Sequence, residues 1–402
     1  MNIVRDDFPI FSQKAEKPFI YFDNAATTQK PRAVLSVMNH AYTHYNASAH
    51  RGLYAIAERA TENYEDVRYK VARLINAPSS TEIVFTQGTT DSINTVIQIW
   101  GQKAIKKGDE ILITMAEHHS NFVPWQQLCL QKKAILKIIP VLADGTLDYA
   151  AIPTLITPKT KLVAITHVSN ALGVRNDIAQ IIKEAKKVKA RVLIDGAQAI
   201  GFEKVDVQAL GCDFYAFSAH KMYGPMGVGV LYISRAAQKE CTPYKTGGGM
   251  VHEVTVEKTT YVAAPLCFEA GTPAIAQVIG LGAAIDYLLR DSLEDIQAYI
   301  IGLTAYCIVG LQKIPKVTVL GPVKELMTYS HIVSFTIEGI HAHDVAAACD
   351  KAGICVRAGN HCAQPLATAM GYGSSVRVSF QIYNTKQEID YFLKTLETLV
   401  AD

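Results

Sequence analysis

A chain of 402 residues with 49% hydrophobic and 19% charged positions has more apolar material than one simple core holds, so two domains are expected. Lys and Arg total 39 against 37 Asp and Glu, a net charge of +2 that carries no footprint of a nucleic-acid or anionic-membrane partner. Eight cysteines without a C-x-x-C pair, an N-terminus interrupted by Arg5, Asp6 and Asp7, and a most apolar stretch (274–285) too short to cross a bilayer predict a soluble, cytoplasmic protein with free thiols.

Taken in order, residues 1–20 read as an arm leading into a short strand at 19–23. Asp23-Asn-Ala-Ala-Thr-Thr follows as a polar turn. Helices are expected at 31–45 and 54–75, with His50, Arg51 and Gly52 in the loop between them. A strand at 82–86, then Gly88-Thr-Thr, then a helix over 91–100 is the arrangement that offers backbone N–H groups and hydroxyls to a phosphate. An ordinary helix cap has the same pattern, so Thr89 and Thr90 need support from elsewhere. The strand at 109–114 runs into Glu117-His-His-Ser-Asn. Consecutive histidines point in different directions and no Cys or Asp nearby completes a ligand set, so no metal is expected. His118 is better used stacked on an aromatic cofactor.

Strand 161–166, helix 177–187 and strand 191–195 then alternate, and strands 213–217 and 227–233 flank a Ser/His/Gly/Pro loop that contains Lys221. Such alternation predicts an α/β fold with a mostly parallel sheet, helices on both faces and ligands at the strand C-terminal ends. Thr89, Thr90, His118, Asn170, Asp195 and Lys221 all follow expected strands, which places them on one edge of one sheet. Beyond Gly247-Gly-Gly and Phe268-Glu-Ala-Gly-Thr-Pro, a helix over 274–290 closes the first unit. The pattern restarts with helix 293–312, strand 331–337, helix 343–352, strands 354–357 and 375–380, and helix 385–400. Thr385 and Glu388 form a capping box at the start of that last helix. Domains are therefore expected at 1–290 and 291–402.

Lys221 carries the functional reading. A lysine amine can form a Schiff base, and Ser218 and His220 beside it suit an anion. With Asp195 at the end of a neighbouring strand, the set matches the needs of pyridoxal 5'-phosphate: a Schiff-base lysine, an acid for the pyridine nitrogen and donors for the phosphate. Cys362 lies in a Gly/Asn/His/Pro loop rather than an apolar run, which sets it apart from a buried inert thiol.

Asp23-Asn-Ala-Ala-Thr, Gly88-Thr-Thr, Glu117-His-His-Ser-Asn, His167-Val-Ser-Asn, Asp195-Gly-Ala-Gln, Ser218-Ala-His-Lys-Met-Tyr-Gly-Pro, Phe268-Glu-Ala-Gly-Thr-Pro and Arg357-x-Gly-x-His-Cys-Ala stand in this order over nearly the whole chain. In them the sequence resembles the group II cysteine desulfurases (SufS- and CsdA-like), fold-type I pyridoxal-phosphate enzymes of the class V aminotransferase superfamily. The resemblance implies a large cofactor domain and a smaller α+β C-terminal domain. Lys221 would hold the cofactor, Asp195 would pair with its ring nitrogen and Gln198 with its phenolic oxygen, and His118 would stack on the ring. Thr89, Thr90, Ser218 and His220 would bind the phosphate, with Thr272 reaching in from the second subunit of a homodimer. Asn170 and Arg377 would hold the substrate carboxylate, and Cys362 would be the nucleophile.

The activity implied is removal of sulfur from L-cysteine, leaving L-alanine and a persulfide on Cys362. A SufE-like acceptor would then receive the sulfur for iron–sulfur cluster assembly. The same residues would serve a selenocysteine lyase. Either His361 or a substrate-derived group is available to take the thiol proton. The sequence departs from the common family pattern at Gln87, Ala219 and Asn360, none of which supplies an atom to this chemistry.

Overall fold

The structure, a computed structural model, describes residues 5–13 and 17–401. Its strands, in chain order, are β1 Ile20–Tyr21, β2 Ile83–Thr86, β3 Glu110–Thr114, β4 Ile135–Ile139, β5 Thr160–Thr166, β6 Arg191–Asp195, β7 Phe214–Ser218, β8 Gly229–Ile233, β9 Val251–Val254, β10 Thr259–Tyr261, β11 Val317–Leu320, β12 Ile332–Ile337, β13 Ile354–Cys355, β14 Arg357–Gly359 and β15 Ser375–Ser379. Seven of them form the main sheet in the order β2-β8-β7-β6-β5-β3-β4. β8 runs antiparallel to both neighbours, β2 and β7, while the pairs from β7 to β4 are parallel. All the other strands of this sheet therefore end on the same edge.

The physical reason for the sheet is legible strand by strand. β6, β7 and β8 are near-continuous apolar runs, as strands covered on both faces must be. Their side chains alternate between two cores: Val192 and Ile194 enter the cluster on one face, and Leu193 enters the other. The helix Ile178–Lys187 buries Ile178, Ile181, Ile182 and Ala185 at helical spacing and turns its lysines outward. Asp177 caps it by accepting the Gln180 N–H at 3.1 Å. The helix Ile275–Leu288 is apolar around most of its circumference, because the helix Ala55–Leu74 also packs on it.

A second, antiparallel sheet has the order β11-β12-β15-β14. The Thr385–Glu388 capping box is present at the start of the C-terminal helix, with bonds of 3.2 and 3.0 Å. The N-terminal segment crosses to this part of the molecule. β1 pairs with β13, Asp23 bridges to Ser379, and Arg5 donates to the Tyr383 carbonyl at 2.9 Å and meets Glu388 at 2.6 Å.

Several expectations need correcting. The strand expected at 354–357 is two strands that serve different partners, β13 with β1 and β14 with β15. The helix expected from 91 begins at Thr89 and passes into a π-helical turn at Ile97–Gly101. The helix His119–Lys132, with Pro124 inside it, was not read from the sequence. Edge strand β4, the β9–β10 hairpin and β11 were also unread.

One buried ion pair pins the 268–273 loop. Arg68 is 1% exposed and grips Glu269 with both terminal nitrogens, at 2.6 and 3.0 Å, while Glu269 also accepts the Phe85 N–H at 2.7 Å. Removing Glu269 leaves the buried guanidinium with the half-buried Glu65 at 2.8 Å and the Ile83 carbonyl at 2.8 Å but takes away two charge-assisted bonds, each worth about 1.5–3 kcal/mol. Glu269→Ala is therefore expected to lower the urea unfolding midpoint strongly, and an unchanged midpoint would contradict this account of the loop.

Candidate active site

The common strand edge opens into a cavity of about 260 Å³. Thr89, Thr90, His118, Asn170, Asp195, Gln198, Ser218, His220, Lys221, Cys362 and Arg377 all line it. Thr272 does not. It is exposed and borders separate cavities, one of about 390 Å³ that it shares with Gln87 and Lys245.

At one end the residues suit a phosphate. The helix Thr89–Val96 points its N-terminus at the cavity, and the Thr89 N–H donates to Ser218 Oγ at 2.8 Å. The hydroxyls of Thr89 and Ser218 stand 2.7 Å apart, and those of Thr90 and Ser120 2.6 Å. His220 Nδ1 is buried with no partner. The turn before this helix sits directly on β8: a Cβ on Gly229 would lie 2.4 Å from Gly88 Cα, and Gly88 itself has φ of 149°. Both positions therefore require glycine.

In the middle stand Asp195 and Lys221. Asp195 is 4% exposed at the end of β6, where Oδ1 accepts the Ala197 N–H at 3.0 Å. Burial raises its pKa, opposed by that bond and by the charge of Lys221. Burial pulls the Lys221 amine down to about 8, against the attraction of Asp195. His118 caps the helix His119–Lys132 by accepting the Ser120 N–H on Nδ1 at 3.0 Å. That bond leaves the ring proton on Nε2. Burial and nearby cations hold His118 neutral, at about 3. Behind it Glu117 accepts from Thr114 Oγ1, the Thr166 N–H and Asn121 Nδ2 at 2.7, 2.9 and 2.6 Å, which fixes the turn that carries the ring. Gln198 donates to the Ala25 carbonyl at 2.8 Å, so the Asp23–Thr28 turn forms part of the wall.

The far end is made by the second sheet. Arg377 on β15 is 1% exposed; it donates to the Asn170 carbonyl at 2.8 Å and to Asp23 Oδ1 at 3.0 Å. Its Nε has no partner, and neither has Asn170 Oδ1. Cys362 follows β14, and both it and His361 adopt left-handed backbone, with φ of 57° and 51°. Non-glycine residues enter that region only when their surroundings hold them. Here the Cys362 carbonyl accepts the His119 N–H at 2.7 Å and the His361 carbonyl accepts Asn170 Nδ2 at 2.6 Å. Arg357 points a terminal nitrogen at Cys362 Sγ, 3.6 Å away. His361 Nε2 is 2.9 Å from Ser375 Oγ, and burial lowers its pKa to about 3.

Three contributors had no role assigned from sequence. Ser120 sits two residues past His118, where a helix cap places a hydroxyl beside the cavity. Arg357 was visible within its motif, but its approach to the thiol depends on the reversal of chain at 361–362. Asp23 stood in a motif that was read as a turn and as part of the resemblance, with no role given to its carboxylate.

The donor set fits pyridoxal phosphate: a lysine amine available near neutral pH, a buried acid beside it and an unpartnered His220 nitrogen at the anion end. Only a free amine captures the aldehyde, so borohydride trapping of added pyridoxal phosphate on Lys221 should rise with pH through a midpoint near about 8 instead of near 10.5 and level off above it. Asp195→Asn removes the charge that favours the ammonium form, so the plateau should begin at lower pH. Trapping on another lysine, or a plateau moved upward, would contradict this electrostatic account.

A family model, aminotransferase class-V, matches residues 20–392. A cysteine desulfurase of Escherichia coli O157:H7 (strain EC4115 / EHEC) is 43% identical over 398 residues, covering 98% of this chain and 97% of that protein. A cysteine desulfurase of Shigella sonnei (strain Ss046) is 44% identical, with the same 98% and 97% coverage. Among solved structures, the apo cysteine desulfurase of Thermococcus onnurineus NA1 superposes with a TM-score of 0.94 at 39% identity, over 99% of this chain and 97% of that one. The Escherichia coli cysteine desulfurase CsdA, in an S-sulfonic acid form, gives 0.92 at 37% identity over 99% and 97%. The chain belongs to the class V aminotransferase family, and within it to the pyridoxal-phosphate-dependent cysteine desulfurases.

Proposed function

We propose that the sulfur of L-cysteine leaves as a persulfide on Cys362, with L-alanine as the other product. One observation carries this reading: Lys221, Cys362 and the Arg377–Asn170 pair line a single cavity of about 260 Å³. A small amino acid held there by its carboxylate is within reach of both an amine and a thiol.

Lys221, Asp195 and the Thr89, Thr90, Ser218 and His220 donors would hold pyridoxal phosphate, which would supply an electron sink for charge left on the substrate. Gln198 and the flat, neutral ring of His118 orient it. Arg377 and Asn170 bind the substrate carboxylate, using the unpartnered Arg377 Nε and the Asn170 amide; Asp23 holds the guanidinium meanwhile. Lys221, with a pKa near 8, takes up and returns the α-proton close to neutral pH. Cys362 Sγ, its proton given up to the acceptor, attacks the substrate sulfur as the substrate Cβ–S bond breaks and leaves its electron pair on the carbon that becomes the alanine methyl; Arg357 stands 3.6 Å from Sγ. His361, neutral and bonded through Nε2 to Ser375, is a poor base, which favours a substrate-derived group as acceptor of the thiol proton.

Cys362 lies between β14 and the helix Gln364–Ala369, a short connection that supports delivery of the persulfide to a SufE-like acceptor that comes to the cavity. We place this transfer in iron–sulfur cluster assembly in the cytoplasm. We also propose a homodimer in which Thr272 completes the partner's phosphate site. Thr272 is exposed outside this chain's own cavity, and exposed Tyr42 lies beside it. Leu53, 95% exposed, adds to the apolar surface around the first two helices. The division into 1–290 and 291–402 is retained as a proposal, with the N-terminal segment docked across it.

Cys362→Ser should still bind pyridoxal phosphate and still change its absorbance on addition of cysteine. Alanine release from cysteine should fall by about a hundredfold or more, the scale of losing a positioned catalytic group. Release from selenocysteine should fall less, because selenium leaves more readily than sulfur. A serine variant that releases alanine from cysteine at the wild-type rate would overturn the role of Cys362. Sedimentation should give a dimer, and a fully active monomer would remove the role proposed for Thr272.

A further inference from the structure

The turn that carries Lys221 is anchored through its backbone. The His220 carbonyl, one half of the peptide bond into Lys221, is met by four donors. These are the Thr28 N–H at 2.9 Å, Thr27 Oγ1 at 3.1 Å, Thr28 Oγ1 at 3.1 Å and the Lys30 ammonium at 3.1 Å. A carbonyl oxygen has two lone pairs, so this is more than it ordinarily takes. Lys30 also donates to the Thr28 carbonyl and lies 3.3 Å from Thr27 Oγ1. Thr28 Oγ1 in turn accepts the Tyr223 N–H at 2.8 Å, so the bracket holds both ends of the turn.

The Lys30 charge is the part that needs explaining. Among the described residues it makes no ion pair; its acceptors are carbonyls and a hydroxyl. A half-buried ammonium without a carboxylate is costly, and burial accordingly draws its pKa down to about 7. An uncharged side chain of similar length would fill the same space, so packing alone does not call for a cation there. The same segment is tied to the second sheet, since Asn24 donates to the Ser379 carbonyl at 2.6 Å and Gln29 N–H to Tyr383 Oη at 2.9 Å.

We propose that Lys30 is a positioning residue: through the His220 carbonyl it fixes the peptide plane from which the Lys221 side chain leaves. The proposal rests on the assignment of Lys221 as the cofactor-holding lysine. With the carbonyl locked, the direction of the Lys221 Cα–Cβ bond is set before any cofactor arrives, and so is the placement of the neighbouring His220 ring. It also gives the Asp23–Thr28 motif and the lysine that follows a joint task, as a bracket between the second sheet and the reactive turn.

The test uses the full-length apo-protein with pyridoxal phosphate as the probe, in wild type, Lys30→Met and Lys30→Arg. Borohydride trapping and peptide mapping first identify the lysine that is labelled. Labelling of a different lysine in wild type would overturn the underlying assignment, whatever Lys30 does. With Lys221 labelled, and with capture rates compared at about pH 6, below the Lys30 pKa of about 7, so that Lys30 is charged, Lys30→Met should slow capture about tenfold, the scale of one lost charge-assisted hydrogen bond. Lys30→Arg, which keeps the charged donor, should restore most of that rate, whereas a residue that only fills space would not be rescued this way. Capture by Lys30→Met at the wild-type rate, or failure of Lys30→Arg to restore it, would overturn the proposal. Should Lys30→Met not fold, Thr27→Val tests the same bracket from its neighbour: it should slow capture about threefold, as loss of one neutral hydrogen bond would, and an unchanged rate would overturn the proposal.

Discussion

Arg377 carries its charge in a position 1% exposed, and the site exists because two other parts of the chain come to meet it. Its own strand, β15, belongs to the second sheet; the Asn170 carbonyl comes from a loop of the main sheet; Asp23 comes from the N-terminal segment. A buried charge with a partner removed costs several kcal/mol, so these three parts of the chain are bound to one arrangement. The cavity is the space left between them. Its floor is the strand edge with Asp195 and Lys221, and its far wall is the β14–β15 pair with Cys362 at the turn.

Burial then sorts the ionisable groups into roles. His118 and His361 are both held near 3 and stay neutral, one as a flat ring and the other as a bonded support. Lys221 is lowered to about 8, within range of proton transfer near neutral pH. Asp195 is shifted upward by the same burial and is offset by Lys221 and one backbone N–H. Cations converge from Lys221, Arg357 and Arg377, which suits the phosphate, carboxylate and thiolate proposed for this cavity. Outside it, Cys307 and Cys349 are buried in the core, where the thiol pKa is pushed upward and reactivity is suppressed.

Much of this was legible in the sequence because local rules and the global fold agree. β6, β7 and β8 have apolar, β-rich composition with polar loops at their ends, so the reactive edge could be placed from pattern alone. The capping box at Thr385 and Glu388 is local chemistry and appeared as expected. What stayed hidden depends on distant partners. β1 is two residues long and forms by pairing with β13, which lies in the other half of the chain. The left-handed backbone at His361 and Cys362 has no glycine to announce it; hydrogen bonds from Asn170 and His119 impose it. Thr272 stands away from the cavity of its own chain, so its site role rested on resemblance and not on pattern.

The central claim is that Cys362, among the eight cysteines of the chain, is the residue that receives sulfur. The most direct measurement is intact and peptide mass spectrometry of the wild-type protein after brief incubation with L-cysteine, without reductant. The account predicts one added sulfur, located on the peptide containing Cys362 and removed by a thiol. Sulfur on another cysteine, or alanine formed at full rate with no sulfur retained on the protein, would contradict it.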